Sequence, residues 1–520
     1  MVHVEADIGG GLPTFLIGGL PDAACKQSAD RIRSAAAHSG MELPRHRIVV
    51  NLSPASLPKS GSVFDLSIAV AALAAAKLVP AREVAPVVHL GELGLDGTVR
   101  AVPGVLPLVL AAVRSGRTRV VVPAGNAVEA ALVPGADVVA AHSLEHVVAV
   151  HRAAEAGEPP PIDPRLGTGS EHARSGWLSG SGDAGNDGLA GPPADGLAGV
   201  GAPDLRDVVG QGEARLALEI AAAGGHHLLM IGPPGAGKTM LAERLPSLLP
   251  ELSVDQAMET TAVHSILGVL PPGVLVRRPP FVAPHHGASL VAVVGGGSGW
   301  IRPGLVSRAH RGVLFLDEAP EFRPQVLQAL RQPLESGEVV LARARASVRY
   351  PCRFQLVLAA NPCPCGQGYG KGVRCRCTPR ARRDYLGRLA GPLLDRVDLQ
   401  LQVPAVSLAG LAGGPGEDSA TVSERVDAAR ALQRQRYAGE PWALNAHLPG
   451  SRVRRGPHAI PSRARADLER ALDRGTLTLR GFDRVLRIAR TVRDLSGGGE
   501  VTRDDVGLAL TLRAHGGVAA

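Results

Sequence analysis

A chain of 520 residues is too long for one domain, and at about 100–200 residues per domain roughly three units are expected. Hydrophobic residues make up 45% of it but aromatics only 3%, so its cores must be built from Ala, Val and Leu. The net charge of +8 suits contact with a polyanion, although drift toward Arg would give the same balance, and six cysteines exclude a disulfide scaffold in a chain of this size.

Residues 1–7 lack the basic start and apolar run of a targeting segment, and the apolar window 63–79 is broken by Asp65, Ser67 and Lys77. No membrane span is expected, and the chain reads as cytoplasmic. Residues 1–155 alternate strand-like runs (47–52, 87–90, 119–122) with Ala-rich helical stretches (24–38, 67–77, 106–114, 126–132), which predicts a mixed α/β domain. Residues 156–203 are rich in Gly, Ser, Asp and Pro and hold few large apolar side chains, so they read as a flexible linker that lets its two sides move independently. Residues 204–408 form an α/β core of strand–loop–helix units. Residues 409–520, after a Gly-rich break at 409–417, carry amphipathic helical runs at 463–474, 480–495 and 503–512.

The core opens on a strand at 226–231, followed by Gly232, Pro233, Pro234, Gly235, Ala236, Gly237, Lys238 and Thr239 and a helix at 240–248. This is a P-loop in its required strand–loop–helix setting. Its glycines turn backbone N–H groups onto phosphate oxygens and the helix start adds a positive dipole end. Lys238 is expected at the β- and γ-phosphates of ATP, and Thr239 on Mg²⁺. Gly312-Val-Leu-Phe-Leu-Asp-Glu318 reads as a buried parallel strand that places Asp317 on the Mg²⁺ shell and Glu318 on the attacking water. A third strand, 354–360, ends in Asn361, which either holds the lytic water or caps the turn before Pro362. Residues 338–350 read as two short strands around a tight turn.

Cys363, Cys365, Cys375 and Cys377 pair as two Cys-x-Cys units nine residues apart. Four thiolates on two short loops suit a tetrahedral structural Zn²⁺, with free thiols as the alternative. Arg374, Arg376, Arg380, Arg382 and Arg383 make the surroundings basic. Cys25 and Cys352 are isolated and expected to be buried.

Together these segments resemble the ComM/YifB family of magnesium-chelatase-like AAA+ ATPases over nearly the whole chain outside the linker. The resemblance is carried by Gly210-Gln211, the P-loop, Arg278-Pro-Pro-Phe-Val-Ala-Pro-His-His286, residues 312–322, Asn361-Pro-Cys-Pro-Cys-Gly366 and Gly391-Pro-Leu-Leu-Asp-Arg-Val-Asp398. It implies a Lon-protease-like α+β domain, a central AAA+ parallel sheet and a C-terminal helical lid, assembled as a homohexamer. It further implies that Arg396 is an arginine finger acting on a neighbouring subunit. Arg480 matches a lid sensor touching the γ-phosphate in cis, and Arg343 and Arg345 lie on a pore hairpin that grips DNA; ordinary surface arginines fit that hairpin equally. His285 and His286 are expected to be structural or pore-facing, and Val282 stands where the family usually has Arg. In the N-terminal domain, residues 59–65 fall where Lon carries its Ser, but 105–108 hold no Lys to serve as base, so no proteolysis is expected. The chain also begins later than the family pattern, which leaves an initial strand in question. The leading expectation is a DNA translocase or branch-migration helicase acting in recombination or natural transformation. The alternative is a chelatase-like motor remodelling a protein partner.

Overall fold

The computed structural model describes residues 1–162, 178–179, 203–270, 273–297, 301–343, 346–368, 374–389, 393–405, 414 and 416–514. Most of the expected linker, Arg345, Gly391-Pro392 and most of the Gly-rich break lie outside the described residues.

The N-terminal body begins with β1 (His3–Gly9), β2 (Phe15–Gly18), α1 (Ser28–His38) and β3 (Arg47–Ser53). β3 is central, antiparallel to β1 along its length and parallel to β2. Ile48, Val50 and Leu52 alternate onto its buried face, as the twofold period of a strand requires. That face packs on α2 (Asp65–Ala75), whose Leu66, Ile68, Ala69, Val70, Ala72 and Leu73 are all buried. Next come β4 (Val88–His89), α3 (Val105–Arg114), β5 (Arg119–Pro123), β6 (Asp137–Ala141) and α4 (Leu144–Ala156). β4, β5 and β6 lie side by side in parallel. The strands and helices read from sequence omit β1, β2, β6 and α4. Helix α4 nonetheless carries both terminal signals: the Ser143 side chain accepts from the His146 N–H, and Gly157 closes the helix in the left-handed conformation.

The core runs through α5 (Gly212–Gly224), β7 (Leu228–Ile231), α6 (Lys238–Leu248), α7 (Val254–Leu267), β8 (Phe281–Val282), β9 (Val313–Leu316), α8 (Arg331–Ser336), the hairpin β10 (Glu338–Arg343) and β11 (Ala346–Pro351), β12 (Gln355–Ala360), α9 (Pro379–Gly387) and β13 (Leu399–Gln402). Five strands form one parallel sheet in the order β8-β9-β12-β7-β13. Every residue of β7, β9 and β12 is buried, which is why β7 and β9 read as unbroken apolar runs and β12 as an apolar run after Gln355. Because the strands are parallel and in register (Ile231 beside Ala360, Leu316 beside Leu358), their C-terminal ends deliver the P-loop, Asp317 and Asn361 to one edge.

The helices that follow include α10 (Ser419–Arg436), α11 (Ser462–Asp473), α12 (Leu479–Leu495) and α13 (Arg503–Ala514). Helix α12 buries Phe482, Val485, Leu486, Ile488, Ala489 and Val492 at helical spacing, each large apolar side chain contributing about 1.5–3 kcal/mol. This stripe joins the cluster formed by α5, α6 and β7. A polar knot pins the bundle to the sheet. The Asp398 carboxylate accepts from His226 at 2.9 Å and pairs with Arg484 of α12, while His226 also meets Thr491 at 2.7 Å. Arg513 of α13 donates to the carbonyls of Val397 and Asp398, both at 3.0 Å. Met258 of α7 sits in the same hydrophobic cluster as Val105, Leu106 and Val109 of α3, so the two bodies touch there.

Candidate nucleotide site

The loop between β7 and α6 can form only with glycine at specific positions. A Cβ at Gly232 would lie 2.3 Å from the Val403 carbonyl oxygen, and Gly235 and Gly237 have φ of 76° and 84°. Gln211 holds the loop from behind, its side-chain amide donating to the Ala236 carbonyl at 2.7 Å. Sequence reading noted Gln211 as part of a motif without giving it this role.

Lys238 donates to the carbonyls of Gly232 at 2.7 Å and Pro233 at 2.9 Å, and to Asn361 Oδ1 at 3.2 Å. Burial lowers its pKa, against the opposing pull of Asp317 and Glu318. The Thr239 hydroxyl donates to Asp317 Oδ2 at 2.7 Å, and Asp317 Oδ1 accepts from the Glu318 N–H at 2.9 Å. Glu318 is held at φ 48°, ψ 43°, a left-handed conformation that costs a non-glycine residue about 1–3 kcal/mol and is concentrated at functional sites. Lys238, Thr239, Asp317, Glu318 and Asn361, drawn from three strand ends, are therefore brought together. The set fits a magnesium nucleotide: glycine-loop N–H groups at a helix start and an ammonium for phosphate, and a hydroxyl and a carboxylate as hard oxygen donors for Mg²⁺.

His286, expected to be structural or pore-facing, joins this set: its Nδ1 lies 3.4 Å from Glu318 Oε2, and its ring stands 4.0 Å from that of His285. The insert after β8 thus turns His286 onto Glu318. The pairing crosses 32 positions of sequence and left no local signal.

Arg396 and Arg480 form ion pairs with carboxylates outside this set. Arg396 pairs with Glu335 of α8 and helps line a hollow of about 500 Å³ with Val294, Gln328, Arg331 and Gln332. Burial, followed by the like charges of Arg331, Arg480 and Arg484, lowers its pKa. Arg480 pairs with Asp395, the residue before Arg396, and Arg484 donates to the Arg396 carbonyl at 3.0 Å. Sequence reading did not single out Arg331. The hairpin of β10 and β11 pairs from Glu338 with Pro351 to Arg343 with Ala346, and Arg349 on it is 71% exposed.

The four clustered thiols also come together. Cys363 Sγ lies 3.4 Å from Cys365 Sγ and 3.6 Å from Cys375 Sγ, and all four sulfurs, with Cys377, fall within 4.8 Å of one another. Cys25 and Cys352 are buried and separate. In the N-terminal body, Lys59 is buried and donates to the Pro54 carbonyl, while the Ser62 hydroxyl donates to Glu92.

Three stretches match family descriptions: residues 204–411 "Magnesium chelatase, subunit ChlI", residues 4–126 "Subunit ChlI of Mg-chelatase", and residues 416–513 the ChlI C-terminal region. An uncharacterized protein of Mycobacterium tuberculosis is 47% identical over 519 residues, covering 99% of this chain and 96% of the relative. YifB of Escherichia coli is 41% identical over 515 residues, and the competence protein ComM of Haemophilus influenzae is 40% identical over 516. Each alignment covers 99% of this chain and 94% of the relative.

Proposed function

The chain belongs to the ComM/YifB family of magnesium-chelatase-like AAA+ ATPases, and we propose that it is a hexameric ring motor that couples ATP hydrolysis to translocation or branch migration on DNA. The observation that carries the ring reading is the split of the chemistry. Lys238, Thr239, Asp317, Glu318 and Asn361 form one group, while Arg396 lies in a different hollow beside Arg331 and close to Arg480. One subunit then supplies the phosphate-binding half of a site, and its neighbour supplies the cations.

In this mechanism Lys238 and the loop N–H groups bind the phosphates. Thr239 and Asp317 would hold Mg²⁺, which would supply charge neutralisation. Glu318 polarises the attacking water, Asn361 orients it, and Arg396 of the neighbouring subunit stabilises the charge that develops on the transferred phosphoryl group. The Arg480–Asp395 pairing favours a role for Arg480 shared with Arg396, acting in trans, over the cis contact expected from the resemblance. His286 restrains Glu318 until nucleotide and neighbour are in place. The cysteine cluster holds a structural Zn²⁺ beside this site.

DNA as the track is supported by the net charge of +8, by the β10–β11 hairpin in the segment where the resemblance expects DNA-gripping arginines, and by the competence protein among the relatives. Binding through phosphate contacts should weaken steeply with salt. The chelatase-like alternative, a motor remodelling a protein partner, is favoured by the family descriptions themselves. The deciding experiment is ATP turnover with and without single-stranded and branched DNA, with Glu318→Gln as the blank. Stimulation by DNA supports the DNA motor; a rate indifferent to every DNA sinks it and leaves the protein-remodelling reading.

A further inference from the structure

We propose that the Cys363–Cys365–Cys375–Cys377 metal site is a brace for the nucleotide site, so that metal occupancy sets nucleotide affinity. The proposal rests on the ATPase reading above and on Zn²⁺, or a soft divalent cation like it, as the occupant.

The geometry of the thiols is that of ligands. Four sulfurs around a tetrahedral centre at about 2.3 Å must lie about 3.8 Å from one another. The separations here are 3.4 Å for Cys363 to Cys365, 3.6 Å for Cys363 to Cys375 and 3.6 Å for Cys365 to Cys375. A disulfide would need about 2.05 Å. The surroundings are built to match. The Gly368 N–H donates to Cys363 Sγ at 3.2 Å, the kind of outer hydrogen bond that orients a metal ligand, and a Cβ at Gly368 would lie 2.9 Å from that sulfur.

Three links join this knot to the nucleotide site. Cys363 follows Asn361 by two residues, and Asn361 accepts from Lys238. The turn after Cys365 rests on the P-loop: a Cβ at Gly366, where φ is +73°, would fall 2.7 Å from Pro234 Cγ and 2.8 Å from Cδ. The second Cys pair leads into α9, which returns the buried Tyr385 close to the Asn361 backbone. A metal joining the two Cys pairs therefore ties the segment that follows Asn361 to the segment that leads into α9, with the Gly366 turn held against Pro234. Without the metal, weak thiol contacts join the two Cys pairs. Asn361 and the P-loop then lose their fixed spacing.

The test uses the full chain, purified under reducing conditions from zinc-supplemented growth. Metal per chain is measured by mass spectrometry, and affinity for a fluorescent ATP analogue and the ATPase rate are measured on the same samples. One zinc per chain is expected. Chelation, or Cys375→Ser with Cys377→Ser, should remove it and weaken nucleotide binding about tenfold or more, and zinc added back to the chelated wild type should restore binding. Gly366→Val drives a branched side chain into Pro234 at a φ of +73°, so it strains the turn as well as displacing the P-loop contact; nucleotide binding should weaken, and the measured zinc content shows that the Cys ligands are intact. If wild type carries no zinc and takes up none, the metal site is refuted while ATP turnover still stands. If zinc is bound but its removal and Gly366→Val both leave nucleotide affinity unchanged, the brace is refuted and the metal site survives. Absence of ATP turnover in zinc-loaded wild type would instead refute the ATPase reading. Reversal by zinc separates the brace from a cysteine variant that merely misfolds.

Discussion

Asp398→Asn is the sharpest probe of how the helical bundle is held to the sheet. The Asp398 side chain is 3% exposed and faces Arg484, 13% exposed, and His226, which is fully buried. Burial by itself would raise the Asp398 pKa, but the Arg484 charge and the His226 hydrogen bond outweigh it and hold the carboxyl well below its usual range. The substitution keeps the volume and removes the charge, which strands a mostly buried guanidinium. Breaking a buried pair from one side costs about 3–5 kcal/mol. At about 2 °C per kcal/mol for a large domain, the melting temperature should fall by about 6 °C or more. The control is Asp395→Asn, whose pairing with Arg480 is 44% and 74% exposed and should be worth about 0–1 kcal/mol. The pH dependence has a definite sign. A carboxyl whose folded pKa is depressed stabilises fully above its unfolded pKa of about 3.9, and that stability is lost as pH falls below it. Wild type and variant melts, followed by calorimetry, should therefore differ at neutral pH and converge below about pH 4. A shift at neutral pH no larger than that of Asp395→Asn would refute the idea that this buried charge anchors the bundle.

Gly232→Ala should weaken ATP-analogue binding more than tenfold without unfolding the chain, because its Cβ meets the Val403 carbonyl oxygen at 2.3 Å; a normal binding isotherm would contradict the loop geometry. Arg396→Ala should lower ATP turnover by about 10³ or more while sparing nucleotide binding. Mixing it with Lys238→Ala should restore part of the rate if sites are shared between subunits; no recovery across mixing ratios would argue against a trans finger. His89 and His151 meet at 2.8 Å in the N-terminal body, and burial pushes them down to about 3 and about 4. Folding keeps both neutral, so their contribution is present above the unfolded value of about 6.5 and is lost as pH falls from there toward 4. His151→Gln should flatten the acid side of the stability curve by about 1.4 kcal/mol per pH unit, and an unchanged slope would show that this histidine is already charged in the folded state.

The gathering of Lys238, Thr239, Asp317 and Asn361 was legible because its information is local. Residues 232–239 are one covalent stretch between a strand and a helix, and Asp317 and Asn361 each end an apolar run that only a buried parallel strand explains. The cysteine cluster was legible for the same reason. What remained hidden is pairwise and distant. His286 reaches Glu318 across 32 positions, Arg396 reaches Glu335 across 61, and His226 reaches Asp398 and Thr491 across 172 and 265. No periodicity within a helix or strand encodes such partners. The omitted strand β1 is a different kind of miss. Val4, Ala6 and Ile8 alternate with His3, Glu5 and Asp7, a twofold pattern that hydrophobic spacing alone could have found.

The N-terminal body shows why a linker's composition says little about how its two sides sit. A Gly- and Pro-rich tract permits independent motion, but motion is decided by the surfaces at its ends. Helix α7 brings Met258 into the cluster of Val105, Leu106 and Val109, Gly104 approaches Ile266, and Gly273 approaches Val128. Glycine is needed at position 273, where φ is +74° and a Cβ would come within 2.6 Å of Val128. Helix α7 belongs to the ATPase core and also contacts β9's approach, since His310 and Arg311 pair with its Glu259. These contacts place α7 between the N-terminal body and the segment that leads into the strand before Asp317 and Glu318.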